Sequence, residues 1–294
     1  MIPRQPAPMK TAQTVLLCVL AWGTAFPMGD PREKEIGRTT EKELKVLLSA
    51  GFGSVSIARG DPGKILFLSR QDDGNPGQRP RVSYEIRNRV GYLELNLSDG
   101  EEESHGGSIR AGALKGGDWI LRFTDALPIS FDIELGVGSA DLDLSGLRVK
   151  DFTLSTGASD VTLAFNEPNP VPIEFMNIES GVSQFRGIKL GNANFHRFKF
   201  GGGLGAYTLD FAGSLRHEVD ADIGVALGTV TIYIPEDVGA RLYYDESWVT
   251  RLDYDRAFRK AGRNEYVTED FSRREGRMNI RVESAIGSVK VRRR

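Results

Sequence analysis

The feature that most constrains this chain is a short phrase that keeps returning: a small residue, with apolar residues two and four positions after it. It reads Gly53-Ser-Val55-Ser-Ile57, Gly91-Tyr-Leu93-Glu-Leu95, Gly138-Ser-Ala140-Asp-Leu142 and Ser159-Asp-Val161-Thr-Leu163. It returns, weakened, as Ser183-Gln-Phe185-Arg-Gly187, and then as Gly205-Ala-Tyr207-Thr-Leu209, Gly228-Thr-Val230-Thr-Ile232 and Gly287-Ser-Val289-Lys-Val291. A second glycine stands two residues earlier at Gly51, Gly136, Gly157, Gly181 and Gly203. The central anchors, 138, 159, 183, 205 and 228, are 21, 24, 22 and 23 residues apart. A near-constant period of this size is the signature of a repeat architecture, in which each unit buries its apolar face only by stacking on its neighbours.

Segments just before the glycines alternate apolar and polar residues, as in 131-FDIEL-135, 198-FKF-200 and 219-VDADI-223. Such alternation describes a strand with one buried face. Each unit therefore reads as strand, tight glycine turn, strand, then a longer connection such as 166-NEPNPVP-172. Glycine suits the turn because it reaches positive φ without a Cβ clash and lets backbones approach closely. The expected fold is all-β, a β-solenoid-like stack of two sheets built from repeats of 21–24 residues. The one segment that could hold a short helix is 266-YVTEDFSRREGRMN-279. The expected organisation is a signal segment over 1–25, a polar linker over 26–40 and one domain over 41–294. Within that domain the spacing is looser over 41–130, regular over 131–240 and closing over 241–294. The aromatic, charged stretch 242–258 suits a cap that hides strand edges.

Arg4 and Lys10 precede the apolar run 14-TVLLCVLAWGTAF-26, which stops at Pro27. Gly23 and Ala25 are spaced like a signal-peptidase site, so the run reads as a secretory signal, with Met9 as a second possible start. The mature chain is then expected in the periplasm or at the cell surface, without a membrane span. Cys18 is the sole cysteine and lies in this segment; Leu17 before it argues against lipidation, and the mature chain could form no disulfide. A net charge of −2 gives no global field for nucleic acid or an anionic membrane. The basic end, Lys290 with Arg292, Arg293 and Arg294, reads as a solvated terminus.

Stacked repeats place residues of equal offset in columns, and neither the third nor the fifth position after the anchors forms a carboxylate ladder. Asp141 with Asp143, and Asp220 with Asp222, share faces of strands, as alternating polar residues do by default. His196 and His217 lie about one repeat apart but two residues out of register, and His105 stands alone. No motif with metal-ligand or nucleophile-elbow spacing occurs, and 201-GGGLG-205 lacks the Lys-Ser/Thr of a phosphate loop. Trp119, in the alternating 118-DWILRF-123, suits a core. No catalytic, cofactor-binding or metal-binding residue is therefore assigned. An interaction surface is expected where aromatics and arginines concentrate: Tyr243, Tyr244, Trp248, Arg251, Tyr254 and Phe258.

The run 134-ELGVGSADLDLSGLRVKDFTLSTGASDVTLAF-165 resembles the toast-rack domain of bacterial envelope proteins. The close of the chain, 262-GRNEYVTEDF-271 with 278-MNIRVESAIGSVKV-291, resembles the C-terminal domain of LiaF-like proteins of the cell-wall-active antibiotic response, a group that includes candidate adhesins. The resemblance covers about residues 41–291. It implies a two-sheet β stack with no cofactor and no catalytic residue, and a role in envelope-stress regulation or surface interaction. Unlike the LiaF-like regulators, the sequence shows no multi-helix membrane segment ahead of the β region, so direct contact with a membrane histidine kinase is not expected. Three readings follow: a non-catalytic exported envelope interaction or regulatory module, a surface adhesin for carbohydrate or protein, and a secreted polysaccharide-active β-helix enzyme. The expected partner is an envelope protein or a glycan.

Overall fold

Seven long strands make the frame, each 16 or 17 residues: β2 (Glu43–Arg59), β7 (Pro128–Asp143), β8 (Arg148–Ala164), β9 (Ile173–Ile188), β10 (Phe195–Asp210), β11 (Glu218–Ile234) and β16 (Arg277–Arg293). They lie side by side in that order, all parallel. The computed structural model describes residues 33–71, 80–97, 116–244 and 250–294.

Each long strand runs through two walls because its inward parity switches midway. In β7, Ile133 and Leu135 are buried, and then Ala140 and Leu142; the residues between, 136–139, face outward or lie at the bend. One position of the ladder is skipped at the switch: Leu135 pairs with Thr156 and Val137 with Ala158, while Gly136 and Gly157 have no rung of their own. The buried residues of both halves join one core, including Ile133, Leu163, Tyr207, Leu209, Val230 and Ile232. The expected two-sheet stack of glycine-turn repeats is thus the observed fold.

The glycine requirement is steric. Gly138 has φ +144°, and a Cβ there would lie 1.8 Å from the Gly53 carbonyl oxygen; at Gly228, φ +141°, a Cβ would lie 1.9 Å from the Gly205 oxygen. The bend of each rung therefore seats on the backbone of the one before it. Where serine replaces the anchor, at Ser159 and Ser183, the side chain is buried in the corner. There the Ser180 hydroxyl bonds to both Ser183 and Thr156, the latter at 3.2 Å. The far ends of the rungs are tied by Asn169, only 4% exposed, whose amide donates to the carbonyls of Val149 (2.7 Å), Val171 (2.7 Å) and Ala193 (3.0 Å).

The shorter strands are insertions that complete the two ends. β1 (Glu33–Gly37), β3 (Lys64–Arg70) and β6 (Gly117–Phe123) extend the second wall beyond β2, while β4 (Arg81–Arg87) and β5 (Val90–Asn96) extend the first. Strand β1 falls in the segment read as a polar linker. Gly91 pairs with Leu44 in the first half of β2 and sits at no bend, so its phrase is a strand of the first wall, not an eighth rung. At the other end, β12 (Gly239–Tyr244) and β13 (Thr250–Tyr254) flank the two halves of β16, and β15 (Glu265–Thr268) and β14 (Phe258–Lys260) continue from β12. The segment that could have held a helix holds β15, a three-residue 3-10 turn at Phe271–Arg273, and the start of β16.

The basic terminus is pinned rather than solvated. Arg292 Nη2 lies 2.6 Å from Asp253 Oδ2, and Arg293 donates to the carbonyls of Val238 (2.5 Å) and Glu236 (2.8 Å). Arg294 pairs with Asp210 at 2.5 Å and lies 4.1 Å over the Tyr233 ring. Burial pushes the Arg293 guanidinium below the ordinary arginine range.

Candidate interaction surfaces

The six residues expected to form one surface are divided by the fold. Tyr243 and Tyr244 lie on β12, against the first half of β16; Arg251 and Tyr254 lie on β13, against its second half, in the other wall. Tyr244 (2% exposed) and Phe258 (4%) are core side chains, and the Tyr244 hydroxyl donates to Thr250 Oγ1 at 2.7 Å. Tyr254 is partly exposed, 4.7 Å from the Tyr266 ring, and Arg251 is exposed. Trp248 lies outside the described residues. Covering both halves of the last rung is what a cap does, and that accounts for the buried members of the set.

Tyr243 belongs instead to a charged groove of about 410 Å³ on the outer face of the first wall, shared with Arg197, Asp220, Asp222, Arg241, Asn279 and Arg281. The register builds it: Lys199, Asp222, Arg281 and Tyr243 are level on adjacent strands, as are Arg197, Asp220, Asn279 and Arg241. Arg281 pairs with Asp222 at 3.3 Å, and Asn279 Nδ2 donates to Asp220 (3.2 Å) and Glu218 (2.9 Å). Arg241 pairs with Glu265 at 3.2 Å and lies 4.3 Å over the Phe271 ring. Hydrogen bonds from Asn279 and then Arg277 hold the Glu218 carboxyl below the usual carboxylate range, which suits an acceptor and not a proton donor. The paired spacing of Asp220 and Asp222 therefore serves a charge lattice.

A second surface lies outside the columns that run forward from the anchors. The residue just before each anchor, the apex of the bend, is Phe52, Val137, Ala158, Val182, Leu204, Leu227 and Ile286. These pair rung to rung without interruption. All seven are exposed, from Phe52 at 43% to Val182 at 57% among the large ones. Strand alternation puts this position outside, so an apolar residue there in every rung was the readable signal. Six steps of roughly 4.8 Å make a ridge about 29 Å long. On one flank runs a groove of about 740 Å³ along the residues just before the bend, including Gly51, Gly136, Gly157, Gly181, Ser155 and Ser180. On the other flank is one of about 570 Å³, including Ser139, Asp160 and Gln184.

The histidines do meet: the His196 and His217 ring centroids are 4.8 Å apart, although out of register, and His217 Nε2 lies 2.9 Å from the Phe195 carbonyl oxygen. His105 lies outside the described residues. Among the described residues no three histidine, cysteine, aspartate or glutamate side chains are gathered to hold a metal ion. Trp119 is 3% exposed, in the core as its alternation implied. No described helix is long and apolar enough to cross a membrane.

Residues 29–184 match the family described as the N-terminal domain of toast_rack, DUF2154. The chain belongs to this family. The toast-rack match takes in the first three rungs and most of the fourth, and so the ridge from Phe52 to Val182, together with the 134–165 run that carried the resemblance. The LiaF-like likeness over 262–291 lies beyond it. Solved structures with similarity include a candidate cell adhesion protein from Clostridium sporogenes ATCC 15579, at 17% identity over 89% of this chain and 98% of that one, with a TM-score of 0.44. A candidate adhesin from Bacteroides fragilis NCTC 9343 has 12% identity over 88% and 96%, with a TM-score of 0.37. Among curated proteins, none matches the chain.

Proposed function

We propose that the protein is a non-catalytic, exported module of the bacterial cell envelope that acts by binding other macromolecules through its closing end. The observation that carries this reading is the groove around Tyr243, where an aromatic ring and the guanidinium groups of Arg197, Arg241 and Arg281 share one exposed wall. Aromatic and arginine side chains dominate the energetics of protein interfaces, and guanidinium groups take carboxylates in two-point contacts. Membership of the toast-rack family supports the envelope assignment, and the apolar run before Pro27 supports export. A regulatory partner in the envelope is the first reading. The second, an adhesin for an acidic or polyhydroxylated glycan, is favoured by the alternation of donors and acceptors from Arg197 to Arg281, which matches a polar polymer better than an apolar protein face.

Pull-down from cross-linked envelope fractions, alongside a glycan array, tests both readings. Tyr243→Ser combined with Arg281→Glu is expected to abolish the binding seen with the parent chain. A protein target that the parent captures and the double variant loses supports the regulator, and a glycan captured and lost in the same way supports the adhesin. A double variant that binds everything the parent binds overturns the assignment of this groove.

A further inference from the structure

We propose that the bend ridge is the seam of a parallel two-fold homodimer, in which the ridge of each copy lies in the glycine-floored groove beside the ridge of the other. The ridge repeats at the strand spacing over seven rungs, and a surface that accepts it along its length must carry holes at the same interval. A second copy of this chain does so by construction. Its groove is made by the same rungs, and its floor is Gly51, Gly136, Gly157 and Gly181, continued by Ala226 and Ala285.

Symmetry fixes the arrangement. A ridge meets the glycine-floored groove beside its own copy's ridge only when the two-fold axis runs along the stacking direction; an axis across the stack sets ridge against ridge. A closed two-fold also permits no slip along its axis, so every rung faces the same rung of the other copy. The flanks can then be compared rung by rung, three residues before the apex in one copy against two residues after it in the other. Glu134 meets Ser139, Ser155 meets Asp160, Glu179 meets Gln184 and Glu283 meets Ser288. The remaining rungs, with Ser49 and Ser54, Gly201 and Ala206, and Gly224 and Thr229, are uncharged. At these flank positions no carboxylate opposes a carboxylate, and each one finds a hydroxyl or amide donor.

The same flanks argue against a lipid surface. No lysine or arginine lies within three residues of any apex, while Glu134, Asp160, Glu179 and Glu283 do; Lys199 and Arg186 line the grooves farther out, so the strip itself offers anionic headgroups no cation. The strip is about 29 Å long and roughly 20 Å wide. Side-chain relief on that footprint approaches the ~800 Å² per partner of a standard interface. A parallel dimer also sets both closing ends at the same end of the assembly, with the two Tyr243 grooves on opposite sides of it.

Sedimentation equilibrium on the full chain, as exported by a bacterial host, tests the proposal. The parent is expected to sediment as a dimer. Leu204→Lys and Val182→Lys, at apexes 47% and 57% exposed, are expected to keep the parent's β circular dichroism spectrum and weaken the dimer about a hundredfold or more. Gln184→Glu sets a second carboxylate against Glu179 and is expected to weaken it about tenfold; adding Glu179→Gln restores it. Within one copy these two residues lie on opposite sides of the ridge, so the rescue reports the facing copy. A parent that is monomeric at every concentration, a dimer indifferent to Leu204→Lys, or a Gln184→Glu defect that Glu179→Gln does not repair overturns it. The residues before Arg32 are common to every arm, so association through them does not mimic the ridge.

Discussion

The stacked rungs and the closing end of this molecule are held by different physics. Between β2 and β10, cohesion comes from apolar columns and from bends seated backbone on backbone, with Gly138 on Gly53, Gly157 on Gly136 and Gly203 on Gly181. The closing end relies far more on paired charges: Arg292 with Asp253, Arg294 with Asp210, Arg274 with Asp270, Arg277 with Glu218 and Arg259 with Glu269. A bend glycine at positive φ with backbone against its Cβ position, such as Gly138 or Gly228, admits no larger residue, whereas an exposed ion pair adds little and is screened by salt. The rungs are therefore the rigid part, and the end is the part open to change in sequence, salt and pH.

The largest expected effect falls on the bends. Gly138→Val places a Cβ on the Gly53 oxygen and a branched side chain at positive φ, and is expected to cost roughly 4 kcal/mol or more in denaturant unfolding. Gly262, in the closing end, has ordinary φ and no atom nearer than 3.4 Å to a built Cβ, so Gly262→Ala is expected to stay within about 0.5 kcal/mol. Equal losses at the two sites would break the distinction. Next comes the core: Leu163→Ala, at a fully buried position, is expected to cost about 2–5 kcal/mol.

The smallest effect is local and electrostatic. In the fold, Asp253 is held below the usual carboxylate value of 3.8, chiefly by Arg292. Burial raises Asp270, but hydrogen bonds from Arg274 and Thr268 outweigh it and leave it lowered too. Their contribution is complete above 3.8 and disappears as pH falls through the folded-state values. Hydrogen exchange below that pH is expected to show β13 and the 270–274 turn losing protection while β8 and β9 keep theirs. Arg292→Ala at neutral pH is expected to give the same pattern in β13 alone. Simultaneous loss in rungs and end would mean that they unfold as one unit.

How legible each region was in the sequence follows the same division. The rungs announced themselves because the glycine anchor is a steric demand repeated at each turn, so spacing alone yielded the stack and the core from Val161 to Ile232. Gly91 misled because a phrase without a bend looks the same as a phrase with one. The closing end was hard to read because β16 pairs with β11 across 59 residues, as Glu218 with Arg277, and the inserted strands then fall on both walls. No local pattern tells that Tyr244 turns inward while Tyr243 faces Arg281. The ridge was present in the sequence as an apolar residue at an outward position in seven rungs, but that position reads as part of the turn until the register is known.

In the stack the long rungs follow one another in chain order at one strand spacing, and dipolar distances between spin labels measure that directly. The outer-face column Asp132, Thr153, Asn177, Lys199, Asp222 and Arg281 avoids the ridge. With Cys18 replaced by serine, one label at Asp132 and a second at Lys199, Asp222 or Arg281 spans three, four or five rungs, for backbone separations of about 14, 19 and 24 Å. Dilution with unlabelled chain removes distances between copies. Distances that rise by one strand spacing per rung are the predicted result. A distance from Asp132 to Arg281 no longer than that to Lys199 would contradict the stack.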